Sequence, residues 1–308
     1  MSPEKFLQDL LESQTLKPEQ ELNLKAHKKE VTDYLIAEFQ EKNPTIKYAG
    51  SYEKGTMIRD CYDLDIVCYF PDTDTRTLKE IRDDVSTHLN KKYLMQDKAS
   101  AERILNLKGA TTPQSYHIDV VPGRFISGSS DVFLHLAEGE KERLQTNLKT
   151  HITHIKDSGC VPIIRLVKIW AYRNNIKVKT FVLELFVVEV LSGSRSKDDL
   201  KISFLKVLEE MKNRFETIQL VDPANTANVV SRLMSTVDKT FVAQSANKAF
   251  EALKSENDLA VWKSVFNEMM SSGSPTTSGL INPVSPRTTP NTGFVPHSPH
   301  SDYVEEKR

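Results

Sequence analysis

Between residues 19 and 42 the apolar positions Leu24, Val31, Leu35, Ile36 and Phe39 recur near helical spacing among many charges, which predicts a long helix with one buried stripe. Asn43-Pro44 ends it. Residues 46–49 read as a short strand leading into Gly50-Ser51, and after a short helix and a turn a second strand spans 63–70. Pro71-Asp72-Thr73-Asp74 breaks that strand. Residues 77–92 repeat the amphipathic helical pattern. Strands are predicted over 103–107 and 115–121, separated by the loop Gly109-Ala110-Thr111-Thr112-Pro113. From about Lys141 the signal is nearly all helical, with segments over 161–174, 180–191, 201–218, 225–241 and 242–270. No internal repeat is visible.

The pattern stops after Met270. Residues 271–308 are rich in Ser, Thr, Pro and Gly and have almost no apolar cluster, so a disordered tail is expected: it has too little surface to bury to offset its ordering entropy. Its four Ser/Thr-Pro pairs, at Ser274, Ser285, Thr289 and Ser298, are what any such linker contains. A regulatory partner acting through the tail stays an open alternative. Ahead of it, a chain of 308 residues with 39% hydrophobic and 27% charged residues can form two lobes with sizeable cores. No run of about 18 apolar residues occurs and the N-terminus lacks a basic-then-apolar order, so no membrane partner and a cytoplasmic location are expected. The formal charge of −1 disfavours a large basic nucleic-acid surface. Cys61, Cys68 and Cys160 have no paired spacing and suggest neither a disulfide framework nor a structural zinc site.

Three short runs carry the chemistry. Gly50-Ser51-Tyr52-Glu53-Lys54-Gly55-Thr56 puts a small residue, which permits close backbone approach, beside a hydroxyl at the start of a short helix whose amides can bind phosphate. A plain turn is the alternative. In Asp63-Leu64-Asp65-Ile66-Val67 strand alternation sends both aspartates to one face and Leu64 and Ile66 into a core. Asp119 lies in a similar run, Tyr116-His117-Ile118-Asp119-Val120-Val121-Pro122, and if the two runs pair, three carboxylates converge. Like charges that close either raise one pKa or recruit Mg²⁺, which prefers carboxylate and phosphate oxygens. His117 shares the face of Asp119. His151 and His154 form an H-x-x-H with no further ligand nearby in sequence.

The order G-S-x-x-x-G-T, D-x-D, then a lone Asp before V-V-P resembles the nucleotidyltransferases of the DNA polymerase β-like superfamily, and within it the bacterial CD-NTases, the cGAS/DncV-like enzymes of anti-phage signalling. The likeness continues in residues 161–170, similar to the family helix ending Lys-x-Trp, and in Lys179-Thr180-Phe181-Val182-Leu183-Glu184-Leu185. Asp222-Pro223-Ala224-Asn225-Thr226-Ala227-Asn228-Val229 resembles a segment shared with oligoadenylate synthases.

This resemblance implies an α+β fold: a catalytic lobe with a mixed sheet over residues 1–140, a helical lobe over 141–270, and an active site in the cleft between them. It implies that Asp63, Asp65 and Asp119 hold two Mg²⁺ ions, with Mn²⁺ as a substitute. Gly50, Ser51 and Thr56 would face the donor phosphates, although Thr56 is equally a turn-shaping residue. Lys168 would reach across the cleft to the triphosphate, where a solvent-facing lysine is the plain alternative. Thr180 would offer a hydroxyl to phosphate or serve as a helix N-cap, and Phe181 would stack on a base or fill the core. The implied activity is synthesis of a cyclic di- or trinucleotide from NTPs, ATP first, beside a nucleotide-gated effector. Transfer to RNA or protein, and a non-catalytic nucleotide-binding scaffold, are the rival classes. The composition of the tail carries its own consequence: truncation after Met270 should leave the melting temperature unchanged, and a drop of several degrees would mean that the tail docks on the core.

Overall fold

The computed structural model describes residues 1–110, 116–137, 142–193, 199–255 and 257–268. The expected tail, 271–308, and the expected lobe boundary at 140–141 lie outside them. The chain opens with α1 (Pro3–Ser13), where the Ser2 hydroxyl accepts from the Lys5 N–H and proline occupies the first turn. The long expected helix is α2 (Pro18–Glu38), closed by a short 3₁₀ turn in which Asn43 takes a left-handed conformation. Then come β1 (Thr45–Tyr48), α3 (Gly50–Lys54) and β2 (Leu64–Phe70). A capping box between Thr77 and Glu80 starts α4 (Leu78–Lys92). Next are β3 (Tyr93–Asp97), β4 (Glu102–Leu107), β5 (Ile118–Phe125), β6 (Val132–His135) and β7 (Arg143–Thr146). The remainder is α5 (Leu148–Lys156), α6 (Val161–Arg173), α7 (Thr180–Leu191), α8 (Leu200–Arg214), β8 (Val221–Asp222), β9 (Asn225–Val229), α9 (Thr236–Leu253) and α10 (Leu259–Val265).

The first seven strands form one mixed sheet in the order β1-β2-β5-β4-β3, with β6 continuing from β5 and β7 from β6. β2 and β5 run parallel and the other pairs antiparallel. Strand alternation divides two cores. Leu64, Ile66, Cys68 and Phe70 of β2, with Ile118 and Val120 of β5, pack under α2 and α4. Val67, Tyr69 and Val121 face the other way and belong to a cluster that runs on through α6, α7, α8 and α9. Asp65 and Asp119 share this second face, so the sheet aims its acids toward the helical elements. The α+β fold expected from the sequence is the fold observed.

Two expectations are corrected. The stretch after Lys141 is not all helix: β7 alternates Leu144 and Thr146 inward, and residues 225–229 form a strand instead of starting a helix. The reason is local. Asp222 Oδ1 accepts the Ala224 N–H at 2.8 Å and Asn225 Oδ1 the Ala227 N–H at 3.2 Å, side-chain bonds that compete with a helical ladder just after Pro223. The other correction is α1, which the apolar pattern did not announce and which, though first in the chain, packs with the helical elements α6, α8 and α10.

Phe6 of α1 meets Phe266 edge to face at 5.9 Å between ring centroids, in the middle of that contact. Phe6→Ala should therefore cost about 3–5 kcal/mol of unfolding free energy, measured by urea denaturation. A loss under about 1 kcal/mol would mean that α1 rests on the surface without stabilising it.

Candidate active site

One rung of the sheet carries the acids. In the parallel β2–β5 pair Asp65 stands opposite Asp119, and in the antiparallel β4–β5 pair Arg103 stands opposite Asp119 from the other side. Asp63, one residue before β2, accepts the His117 backbone N–H at 3.2 Å, which brings its carboxylate to the same end of the sheet. All three aspartates are buried, Asp119 completely. Burial first, then the charges of Asp119 and Asp63, pushes the Asp65 carboxyl well above the usual carboxylate range. Its Oδ1 is buried with no hydrogen-bond partner among the described residues.

Gly50 is fixed by this arrangement. Its φ is +58°, and a Cβ there would lie 1.6 Å from Asp65 Oδ2, so only glycine lets the turn press against the carboxylate. Ser51 follows it, half-buried in the first turn of α3. The structure thus gathers Gly50, Ser51, Asp63, Asp65 and Asp119 at one place.

Arg103 is the member that motif reading missed. Its Nε and Nη2 donate to the two oxygens of Asp119 at 2.7 and 2.8 Å, and Nη2 also reaches Asp63 Oδ2 at 3.0 Å. The sequence did carry a signal, since 103–107 reads as a strand, but only the pairing register makes it a neighbour of Asp119. Three carboxylates against one guanidinium, with one oxygen unpartnered, form a donor set that suits a hard divalent cation. The cage is not preassembled: among the described residues no cluster of three or more His, Cys, Asp or Glu side chains is spaced to hold a metal, and Arg103 engages two of the acids.

Lys168, Thr56 and Thr180 sit elsewhere. Lys168 is 1% exposed and donates to the Thr56 carbonyl at 2.8 Å, so it is neither a solvent-facing lysine nor one extended into an open cleft. Burial lowers its pKa against the pull of Glu184. Thr56 donates its hydroxyl to Glu184 Oε1 at 2.6 Å, and Lys54 pairs with Glu184 Oε2. Four buried polar side chains, from α3, the turn after it, α6 and α7, therefore form one lattice behind the acids. Thr180 is the first residue of α7, not its cap, and its buried hydroxyl has no partner among the described residues. Phe181 is core, 4.8 Å from the His151 ring. His151 pairs with Asp222 at 2.6 Å, joining the H-x-x-H segment to the Asp-Pro segment inside the protein.

No family model matches the chain. A cyclic AMP-AMP-AMP synthase of Escherichia coli (strain MS 115-1) is 25% identical over 263 residues, covering 71% of this chain and 80% of that protein. The structure of E. coli MS115-1 CdnC with ATP superposes with a TM-score of 0.67 at 20% identity, covering 85% of this chain and 97% of the other. That of the Bradyrhizobium diazoefficiens CD-NTase CdnG in complex with GTP gives 0.68 at 12% identity, covering 85% and 94%. The chain has the CD-NTase fold. The resemblance to cGAS/DncV-like nucleotidyltransferases carried by its motifs is borne out. In this CD-NTase fold two of the residues that the resemblance assigned to phosphate are tied into the protein: Thr56 bonds Glu184 and Lys168 bonds the Thr56 carbonyl, Glu184 itself lying inside the matching Lys179–Leu185 run but unremarked there.

Glu184→Gln removes the carboxylate paired with buried Lys54 and the charge that acts most strongly on buried Lys168, and should destabilise the protein by about 3–5 kcal/mol in chemical denaturation. The apolar double variant Lys54→Met with Glu184→Leu should recover most of that loss. A Glu184→Gln protein as stable as wild type would show that the lattice is solvated and that its charges are not buried.

Proposed function

We propose that this chain joins nucleoside triphosphates into a cyclic di- or trinucleotide second messenger, releasing pyrophosphate, and that it works beside a nucleotide-gated effector in anti-phage defence. The observation that carries the reading is the rung on which Asp65 and Asp119 stand side by side, next to Asp63 and the Gly50-Ser51 turn. It is supported by 25% identity to a cyclic AMP-AMP-AMP synthase. Structural neighbours bound to ATP and to GTP support NTPs as the substrate class, with ATP the first to test.

Asp63, Asp65 and Asp119 would hold two Mg²⁺ ions, or Mn²⁺ in their place, and the unpartnered oxygen of Asp65 supports that assignment. When bound, such ions offset the triphosphate charge and lower the pKa of an acceptor hydroxyl. The chain's own residues do the positioning. Gly50 lets the backbone of the turn approach phosphate oxygens, and the Ser51 hydroxyl donates to one of them. Thr56 and Lys168 act at one remove: the Lys168 bond to the Thr56 carbonyl and the Thr56 bond to Glu184 keep the turn in shape. Thr180 begins the helix that presents Glu184. The acceptor hydroxyl then attacks the α-phosphate and pyrophosphate departs on the opposite side. Repetition and ring closure complete the product.

Asp63→Asn with Asp65→Asn should abolish NTP turnover with the fold intact by circular dichroism, because Asn keeps the shape and removes the charge. Wild-type protein incubated with all four NTPs and Mg²⁺ should yield a phosphatase-resistant cyclic product by mass spectrometry. Pyrophosphate release only in the presence of RNA or protein would move the reading to transfer onto a macromolecule. Near-wild-type turnover in the double variant would overturn the acid assignment.

A further inference from the structure

Arg103 is 4% exposed and sits on a strand held rigidly from behind. Its neighbour Glu102 points to the other face of the sheet and receives Arg82 of α4 at 2.7 Å, while Arg82 also bonds the Ala99 carbonyl at 2.8 Å. The backbone of β4 is thus anchored to α4 and to the turn that precedes it. From that fixed point the guanidinium reaches across to Asp119 with both of its bonds parallel, the fork-to-fork geometry that makes arginine pairs strong and directional. The same Nη2 extends to Asp63. It therefore ties the acid on β5 to the acid before β2, the two that flank Asp65.

Three carboxylates buried on one small area are unstable without cations, and the molecule supplies one of its own. Arg103 is not a surface ion pair. It is almost wholly buried, and although burial opposes its charge, the hydrogen bond and charge of Asp119 with the charges of Asp63 and Asp65 outweigh that cost. The oxygens it occupies on Asp119 and Asp63 are among those assigned above to divalent metal. Guanidinium and metal cannot both have all of them. On the open side of the site Nη1 is 3.4 Å from the ring of His117, which is half exposed and itself 3.3 Å from Asp63 Oδ1.

We infer that Arg103 is a built-in counter-cation which holds Asp63 and Asp119 while metal is absent and must give up Asp63 when the full metal set forms. It is a positioning residue, acting on the acids and not on the nucleotide. The consequence is a threshold: metal alone binds weakly because it competes with a tethered guanidinium, and the acids stay paired and folded between turnovers. The inference rests on the reading of the three aspartates as a metal site.

The test measures Mn²⁺ binding to the full chain without nucleotide, by electron paramagnetic resonance, in wild type, Arg103→Gln, Arg103→Lys and Asp65→Asn. Melting temperature is recorded with and without Mn²⁺. Arg103→Gln should lower the metal-free melting temperature, bind Mn²⁺ about tenfold or more tightly than wild type, and gain more degrees from Mn²⁺ than wild type gains. Arg103→Lys keeps a cation that cannot fork across both acids, so it should fold well and fall between the two; it carries the test if Arg103→Gln does not fold. Equal or weaker Mn²⁺ binding in the Arg103 variants, with Asp65→Asn still losing it, would overturn the counter-cation role alone. Mn²⁺ binding unaffected by Asp65→Asn, or absent from every protein, would overturn the metal reading beneath it.

Discussion

Everything at this site follows from two carboxylates placed opposite each other on adjacent parallel strands. Strands in a sheet lie about 4.8 Å apart, and two unit charges at about that distance repel by roughly 3 kcal/mol at an effective dielectric near 20. Asp65 and Asp119 stand in this relation inside the protein, with Asp63 close by. A sheet that buries such a rung must either protonate one acid or bring cations to it. Here the Asp65 carboxyl is pushed well above the usual carboxylate range, and Arg103 is placed on the next strand but one of the same rung.

The compensation reaches beyond the rung. Lys54 and Lys168 lie behind Asp65 and draw its pKa down or feel its pull, yet each is itself buried and needs Glu184. Glu184 comes from α7, Lys168 from α6, Lys54 from the end of α3 and Thr56 from the turn just after it. Charges on the sheet are thereby tied to charges on the helices through one short loop. A ligand that adds negative phosphate or positive metal to this end of the sheet changes the balance of the whole lattice.

How far this was legible depends on range. The period-2 pattern around Asp63 and Asp65 and the Gly-Ser turn were readable because each is a local signal, and Gly50 needed its freedom for a reason the turn itself announces. The helices 161–173 and 180–191 were readable from sustained apolar content. Arg103 and Glu184 were not, because an isolated charged residue in a strand or an apolar helix reads as solvated until its partner is known; their partners are 16 and 128 residues away. For Lys168 the resemblance implied a reach across the cleft and the mid-helix position a solvent-facing side chain; the structure gives its ammonium a carbonyl acceptor 112 residues distant, which no local rule announces. The strand at 225–229 was lost to side chains that bond their own backbone, a competition that helical periodicity does not register.

The pattern of misses has a physical meaning. Residues that local rules fail to explain, here two lysines, a glutamate and an arginine with almost no contact with water, are those whose burial costs stability unless they answer one another. They surround the acids on two sides: Arg103 along the sheet, Lys54 and Lys168 from the helices. A fold under selection for stability alone would do as well with apolar residues at these four positions and at the acids they answer. Retaining charge in so dry a place is consistent with a site that must exchange one set of cations for another, and the same requirement explains why the acids face the helices and not the water beyond α2 and α4.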